Sequence, residues 1–166
     1  MRRLTFGGKN RFPIWSADGQ RVAFQSDREG DAAIFWQAAD GTGTAERLTK
    51  PDKDTAHVPE SWSPDGHVLL FSATKESMVS LWAFSLHDTK AAPFGAVQSS
   101  VYTSATFSPD GHWVAYQTGE SSFGAQVYVQ PFPATGTKYQ ITKARSAHYP
   151  MWSPDGKELM FIPGPG

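Results

Sequence analysis

The stretch Trp62-Ser63-Pro64-Asp65-Gly66 decides how this chain folds, because it recurs as Trp15-Ser16-Ala17-Asp18-Gly19, Phe107-Ser108-Pro109-Asp110-Gly111 and Trp152-Ser153-Pro154-Asp155-Gly156. The leading aromatics advance by 47, 45 and 45 positions. Proline presets φ for the second position of a turn, Asp accepts turn amides, and Gly tolerates the left-handed backbone that closes a hairpin. Each copy therefore reads as a hairpin turn held by Ser16, Asp18 and Gly19, by Ser63, Asp65 and Gly66, by Ser108, Asp110 and Gly111, or by Ser153, Asp155 and Gly156. Ala17 replaces proline in the first copy, which loses pre-organisation without forbidding the turn.

Outward from each turn the chain alternates short extended runs with Gly, Pro, Asp and Ser. Seven, eight and nine positions after each leading aromatic stand Val22-Ala23-Phe24, Leu69-Leu70-Phe71, Val114-Ala115-Tyr116 and Leu159-Met160-Phe161. Successive strand residues face opposite ways, so an unbroken apolar trio predicts burial on both faces of its sheet. Further strands are expected at Ala33–Gln37, Glu46–Leu48, Ser80–Phe84, Gln126–Val129 and Tyr139–Thr142, with a weaker one around Ala92–Phe94. Four-stranded units repeating at roughly 40–45 residues are the sequence sign of a β-propeller, each unit being one blade. The fold class is all-β: a partial propeller with three full blades, at about residues 9–49, 55–95 and 101–142, and a partial one at 148–162. The N-terminal residues 2–6 read as an outer strand whose blade begins elsewhere, and Pro163-Gly164-Pro165-Gly166 interrupts the fourth blade after two strands. These complementary ends motivate a homodimer that closes an eight-blade ring.

The Leu4-Thr5 and Arg47-Leu48-Thr49 phrases, with the four turn motifs, resemble the WD40-like repeat of the TolB propeller family over nearly the whole chain. A narrower likeness, in Pro59-Glu60-Ser61-Trp62, in Val127 to Pro133 and in Trp152 to Leu159, is to the propeller region of some bacterial serine/threonine protein kinases. No Gly-rich nucleotide loop, catalytic loop or Asp-Phe-Gly motif accompanies it. The resemblance implies a noncatalytic module that binds protein or peptide, as the sensory propeller of a bacterial signalling protein does, with kinase activity residing in another domain. Related propellers also support some peptidases. Complete family members carry more blades than are legible here.

Composition narrows the partners. With 15 basic and 16 acidic residues and a formal net charge of -1, nothing favours nucleic acid or an anionic membrane surface. There is no cysteine, and no stretch approaches the roughly 18–20 apolar residues of a membrane span. The chain reads as soluble, and any export address would belong to a larger bacterial parent. The histidines, His57, His67, His87, His112 and His148, lack metal-ligand spacing, so neither metal nor cofactor is expected. His57 and His148 each precede an innermost strand and are the candidate ligand-binding residues of a central channel. The repeated Ser/Asp pairs are turn caps rather than nucleophiles. No enzyme is expected on these grounds; a hydrolase or lyase with a polar pocket assembled across blades is the alternative, and a self-assembling structural module the third.

Overall fold

The computed structural model describes residues 4–119, 124–143 and 146–164. Every regular element among them is a β-strand. The first sheet holds β1 (Asn10–Trp15), β2 (Arg21–Ser26), β3 (Ala33–Ala38) and β4 (Glu46–Arg47) in chain order. The second holds β5 (Thr55–Trp62), β6 (Val68–Lys75), β7 (Met78–Ser85) and β8 (Lys90–Ser99). The third holds β9 (Thr106–Phe107), β10 (Trp113–Thr118), β11 (Gln126–Pro131) and β12 (Tyr139–Gln140), and the last only β13 (Ala147–Trp152) and β14 (Leu159–Pro163). All pairings are antiparallel, the geometry that tight turns connect.

The four repeated turns show how sequence sets this geometry. Ser63 Oγ donates to Asp65 Oδ1 (2.5 Å) and accepts from the Val68 amide (2.9 Å), while the Asp65 carboxylate also accepts from the His67 amide (3.0 Å). Ser16/Asp18, Ser108/Asp110 and Ser153/Asp155 repeat the arrangement. Gly19, Gly66, Gly111 and Gly156 close the turns at φ between 67° and 74°, where a side chain would be strained. Successive turns also stack. Gly111 lies against the Pro64 ring and Gly156 against Pro109, so that a Cβ on either glycine would stand 3.4 or 3.5 Å from a proline Cδ.

The apolar trios partition between blade faces. Ala23 and Ile34 of the first sheet pack with Trp62, Leu69, Phe71 and Phe84 of the second. Leu70, Leu81, Phe94 and Val97 of the second pack with Ala105, Phe107, Val114 and Tyr116 of the third. Sheets stacked face to face in this way bury both surfaces of their second strands, and the trios in β2, β6 and β10 are buried throughout. The fourth trio differs from expectation: Met160 and Phe161 are 46% and 39% exposed, because among the described residues no further sheet lies on that side.

Two other expectations change. Leu4, Thr5 and Phe6 are not in a strand, and residues 2 and 3 lie outside the described residues. Leu4 instead packs on Val22, Phe24, Ala33 and Phe35, the face of the first sheet turned away from the second. Arg28 and Arg47 cover the same face, with guanidinium groups 5.0 and 5.8 Å from the Phe35 ring, and Arg47 is paired with Glu29 and Asp31. The weak segment near Ala92–Phe94 is in fact part of β8, ten residues long.

Candidate functional site

The leading segments of all four sheets border one concave cavity of about 1020 Å³. Phe12–Ile14 comes from β1, Val58–Glu60 from β5, Val101, Tyr102, Ser104 and Ala105 from the approach to β9 and Thr106 from its start, and His148–Met151 from β13, with Met160–Ile162 of β14 completing the wall. Its most exposed large side chains are Phe12, Tyr102, Tyr149, Met151, Met160 and Ile162. Among the described lining residues there is no lysine or arginine.

The backbone of this wall departs from ideal strand geometry at one repeated place. Phe12, Ser104 and Tyr149 each stand three residues before the leading aromatic of their turn, and have φ of 54°, 46° and 54°. Pro59, which cannot adopt positive φ, occupies this place in the second repeat. Strand pairing is interrupted alongside, between Arg11 and Ile14, between Pro59 and Ser61 and between His148 and Met151. Such bulges bend a strand and re-aim its side chains. The Phe12 ring meets Tyr102 of the third repeat, centroids 6.1 Å apart and planes tilted by 53°.

Glu60 is the one carboxylate of the described wall. Its oxygens accept from the Ser72 hydroxyl, the Thr103 hydroxyl (2.7 and 2.8 Å) and the Ala105 amide (2.6 Å), tying the second blade to the third. Burial raises its pKa above the ordinary carboxyl value, against the lowering effect of these donors. Gln25 and Gln117 make the corresponding links at the other seams. Gln25 donates to the His57 carbonyl (2.8 Å); Gln117 donates to the Tyr102 carbonyl (2.9 Å) and accepts from the Tyr149 amide (2.7 Å). Gln25, Ser72 and Gln117 share one repeat position, ten residues after the leading aromatic. Glu60 thus supplies the reach that a serine at that position lacks.

His57 and His148 do not come together. His148 borders the axial cavity, its Nε2 2.9 Å from Ser146 Oγ. His57 lies in the seam between the first two blades, buried, with its ring 4.7 Å from Phe71 and its Nδ1 without a partner. It borders a separate cleft of about 390 Å³, with Lys50, Lys75 and Trp82. Burial lowers its pKa to about 4, so the ring is neutral at physiological pH. The four turn aspartates all have lowered pKa values, each chiefly through its serine hydroxyl, and Asp110 falls to about 2. Among the described residues no group of three or more His, Cys, Asp or Glu is placed to hold a metal ion. No helix among them is long and apolar enough to cross a membrane.

Sequence reading passed over the aromatic wall and Glu60. Two signals were available. Phe12 and Tyr149 occupy the same place before their turns, and Glu60 stands where the other repeats carry Pro13, Ala105 and Pro150.

No protein-family model matches the chain. A curated relative, the "Uncharacterized peptidase YuxL" of Bacillus subtilis (strain 168), is 29% identical over 150 residues, which are 90% of this chain and 21% of the relative. The chain thus spans about a fifth of that relative's length. The structure of TolB from Acinetobacter baumannii superposes with a TM-score of 0.77 at 24% identity, over 93% of this chain and 37% of that one. A putative TolB from Agrobacterium tumefaciens gives 0.78 at 19% identity, over 95% and 57%. The fold is shared with enzymes as well: a prolyl endopeptidase structure (TM-score 0.69, 13% identity, 95% of this chain and 26% of that one) and an oligogalacturonate lyase in complex with manganese (0.65, 16%, 93% and 44%). The expectation that no enzyme is involved is therefore corrected, since the curated relative is named a peptidase and the fold recurs in a peptidase and a lyase. These likenesses give no support to the resemblance to kinase-associated propellers. The turns, the stacked four-stranded sheets and the superpositions agree on one architecture: the chain has the fold of a TolB-type, WD40-like β-propeller.

Proposed function

We propose that the axial cavity receives a peptide or an extended segment of protein, and that in a protein built like the curated relative this propeller presents such segments to a peptidase domain. The observation that supports the reading most strongly is the convergence of four inner strands on one concave, largely apolar wall, whose described residues include a single carboxylate, Glu60, and no lysine or arginine. A pocket of several hundred to about 1,000 Å³ encloses most of a small ligand's surface, so this cavity has room for several residues of an extended chain. The wall suits peptide better than an acidic sugar polymer of the kind named for the lyase. A polyanion needs cationic partners, and the described lining residues offer no lysine or arginine.

The test is retention. The chain is mixed with a random-sequence dodecapeptide pool, bound peptides are separated by size exclusion, and mass spectrometry identifies them. The wild-type chain retains peptides. Replacing Met151 and Met160 together by glutamate puts charge into the wall and abolishes retention, whereas Met78→Glu, exposed on β7 away from the axial wall, preserves it. Equal retention by all three proteins overturns the reading.

A further inference from the structure

We propose that Phe12, Tyr102 and Tyr149 are the specificity-determining wall of this cavity, and that they select peptide segments carrying an uncharged aromatic or aliphatic side chain. The proposal rests on the peptide-binding reading and adds to it which residues choose and what they choose.

Positive φ is disfavoured for any residue with a Cβ, and for an aromatic residue it persists only where the surroundings enforce it. Phe12 and Tyr149 both carry it, yet they are 42% and 62% exposed. Their rings are not anchors of the core. Elsewhere, Asp54, Glu76 and Thr89 carry positive φ outside the strands, and Ala96 carries it in β8. Among the described residues, it falls on aromatic residues only on the cavity wall.

A bulge at the same repeat position turns both residues toward the cavity from blades at opposite ends of the arc. Tyr102, 51% exposed, comes from a third blade to meet Phe12. Aromatic faces contributed by three blades offer large, rigid contact area at low cost in side-chain entropy, the quality that makes tyrosine frequent in recognition surfaces.

Glu60 already accepts from Ser72, Thr103 and Ala105, and His148 is engaged by Ser146. An aspartate or glutamate of the peptide would lose water here without meeting a cationic partner, and a lysine or arginine would meet one carboxylate, Glu60, whose oxygens are already taken up by three donor groups. An uncharged ring or branched aliphatic group loses little and covers exposed apolar wall.

The retained dodecapeptides provide the test. Among them, aromatic and aliphatic residues are enriched at one position relative to the starting pool, and replacing that residue by glutamate or lysine weakens binding at least tenfold in calorimetric titration. Phe12→Gly and Tyr149→Gly separate selection from packing, because glycine relieves the positive φ while deleting the ring. The melting temperature is then unchanged or raised, and affinity for the selected peptide falls at least tenfold. A lowered melting temperature with unchanged affinity identifies the rings as packing elements and overturns the proposal. Retained peptides without such enrichment overturn the selectivity but leave peptide binding standing. If the wild-type chain retains no peptide, the proposal falls with the reading on which it rests.

Discussion

Glu60 shows how one residue can depart from a repeat and still serve it. Proline or alanine fills its place in the other repeats, while its carboxylate reaches across a seam that glutamine spans elsewhere. Glu60→Ala leaves the Ala105 amide without its acceptor in an enclosed setting, a loss of about 1–3 kcal/mol. Glu60→Gln keeps an acceptor for that amide and lets the hydroxyls of Ser72 and Thr103 rotate to accept, so less than half of that loss is expected. Denaturant midpoints at constant slope measure both. His57 carries a pH signature. The unfolded chain takes up its proton near pH 6.5 and the folded chain only near 4, so stability present above pH 6.5 declines as pH falls toward 4. After discount for partial solvent access the decline is on the order of 2 kcal/mol. Glu60 acts in the opposite sense: its raised pKa favours the fold as pH falls through the folded value toward 4.5. His57→Gln therefore removes the acid-side loss and leaves the Glu60 contribution, which denaturation at pH 7 and pH 4.5 distinguishes.

At the scale of elements, the hairpin turns dictate register and the first of them is improvable. Ala17 occupies the position held by Pro64, Pro109 and Pro154, no described backbone bond uses its amide, and it already faces Gly66 as Pro64 faces Gly111. Ala17→Pro is expected to stabilise the fold by about 0.5 kcal/mol by restricting the unfolded chain, seen as a higher denaturant midpoint. These turns and the apolar trios made the sheets legible, because turn chemistry and two-sided burial are local properties of sequence. β8 was not legible at its full length. Lys90–Ser99 contains Ala91, Ala92, Pro93, Gly95 and Ala96, poor strand formers that pair because β7 offers an edge. The residues before β1 failed for the converse reason: Leu4-Thr5-Phe6 has strand-like composition, but the structure uses Leu4 to cover the apolar face of the first sheet. The cavity wall was obscured because its residues are set by bulges, which break the alternation from which a facing direction is read.

At the scale of the molecule, the blades form an arc whose inner strands hold one largely apolar surface against which no described element packs, while the outer strands β4 and β12 are two residues long. The repeat period carried the architecture. The proposed binding surface lies where repeats differ from one another, at Phe12, Pro59, Glu60, Ser104 and Tyr149, which is why the fold could be read from the period and the candidate site could not. A propeller of this kind can change what it binds by exchanging a few inner-strand residues while the turns and the stacked trios hold the frame. Amide chemical-shift mapping of the chain titrated with a retained dodecapeptide tests this account most directly. Perturbations are expected around the axial wall, at Phe12, Tyr102, Gln117, Tyr149 and Met160; perturbations confined to the outer strands, or to the seam cleft beside His57, would contradict it.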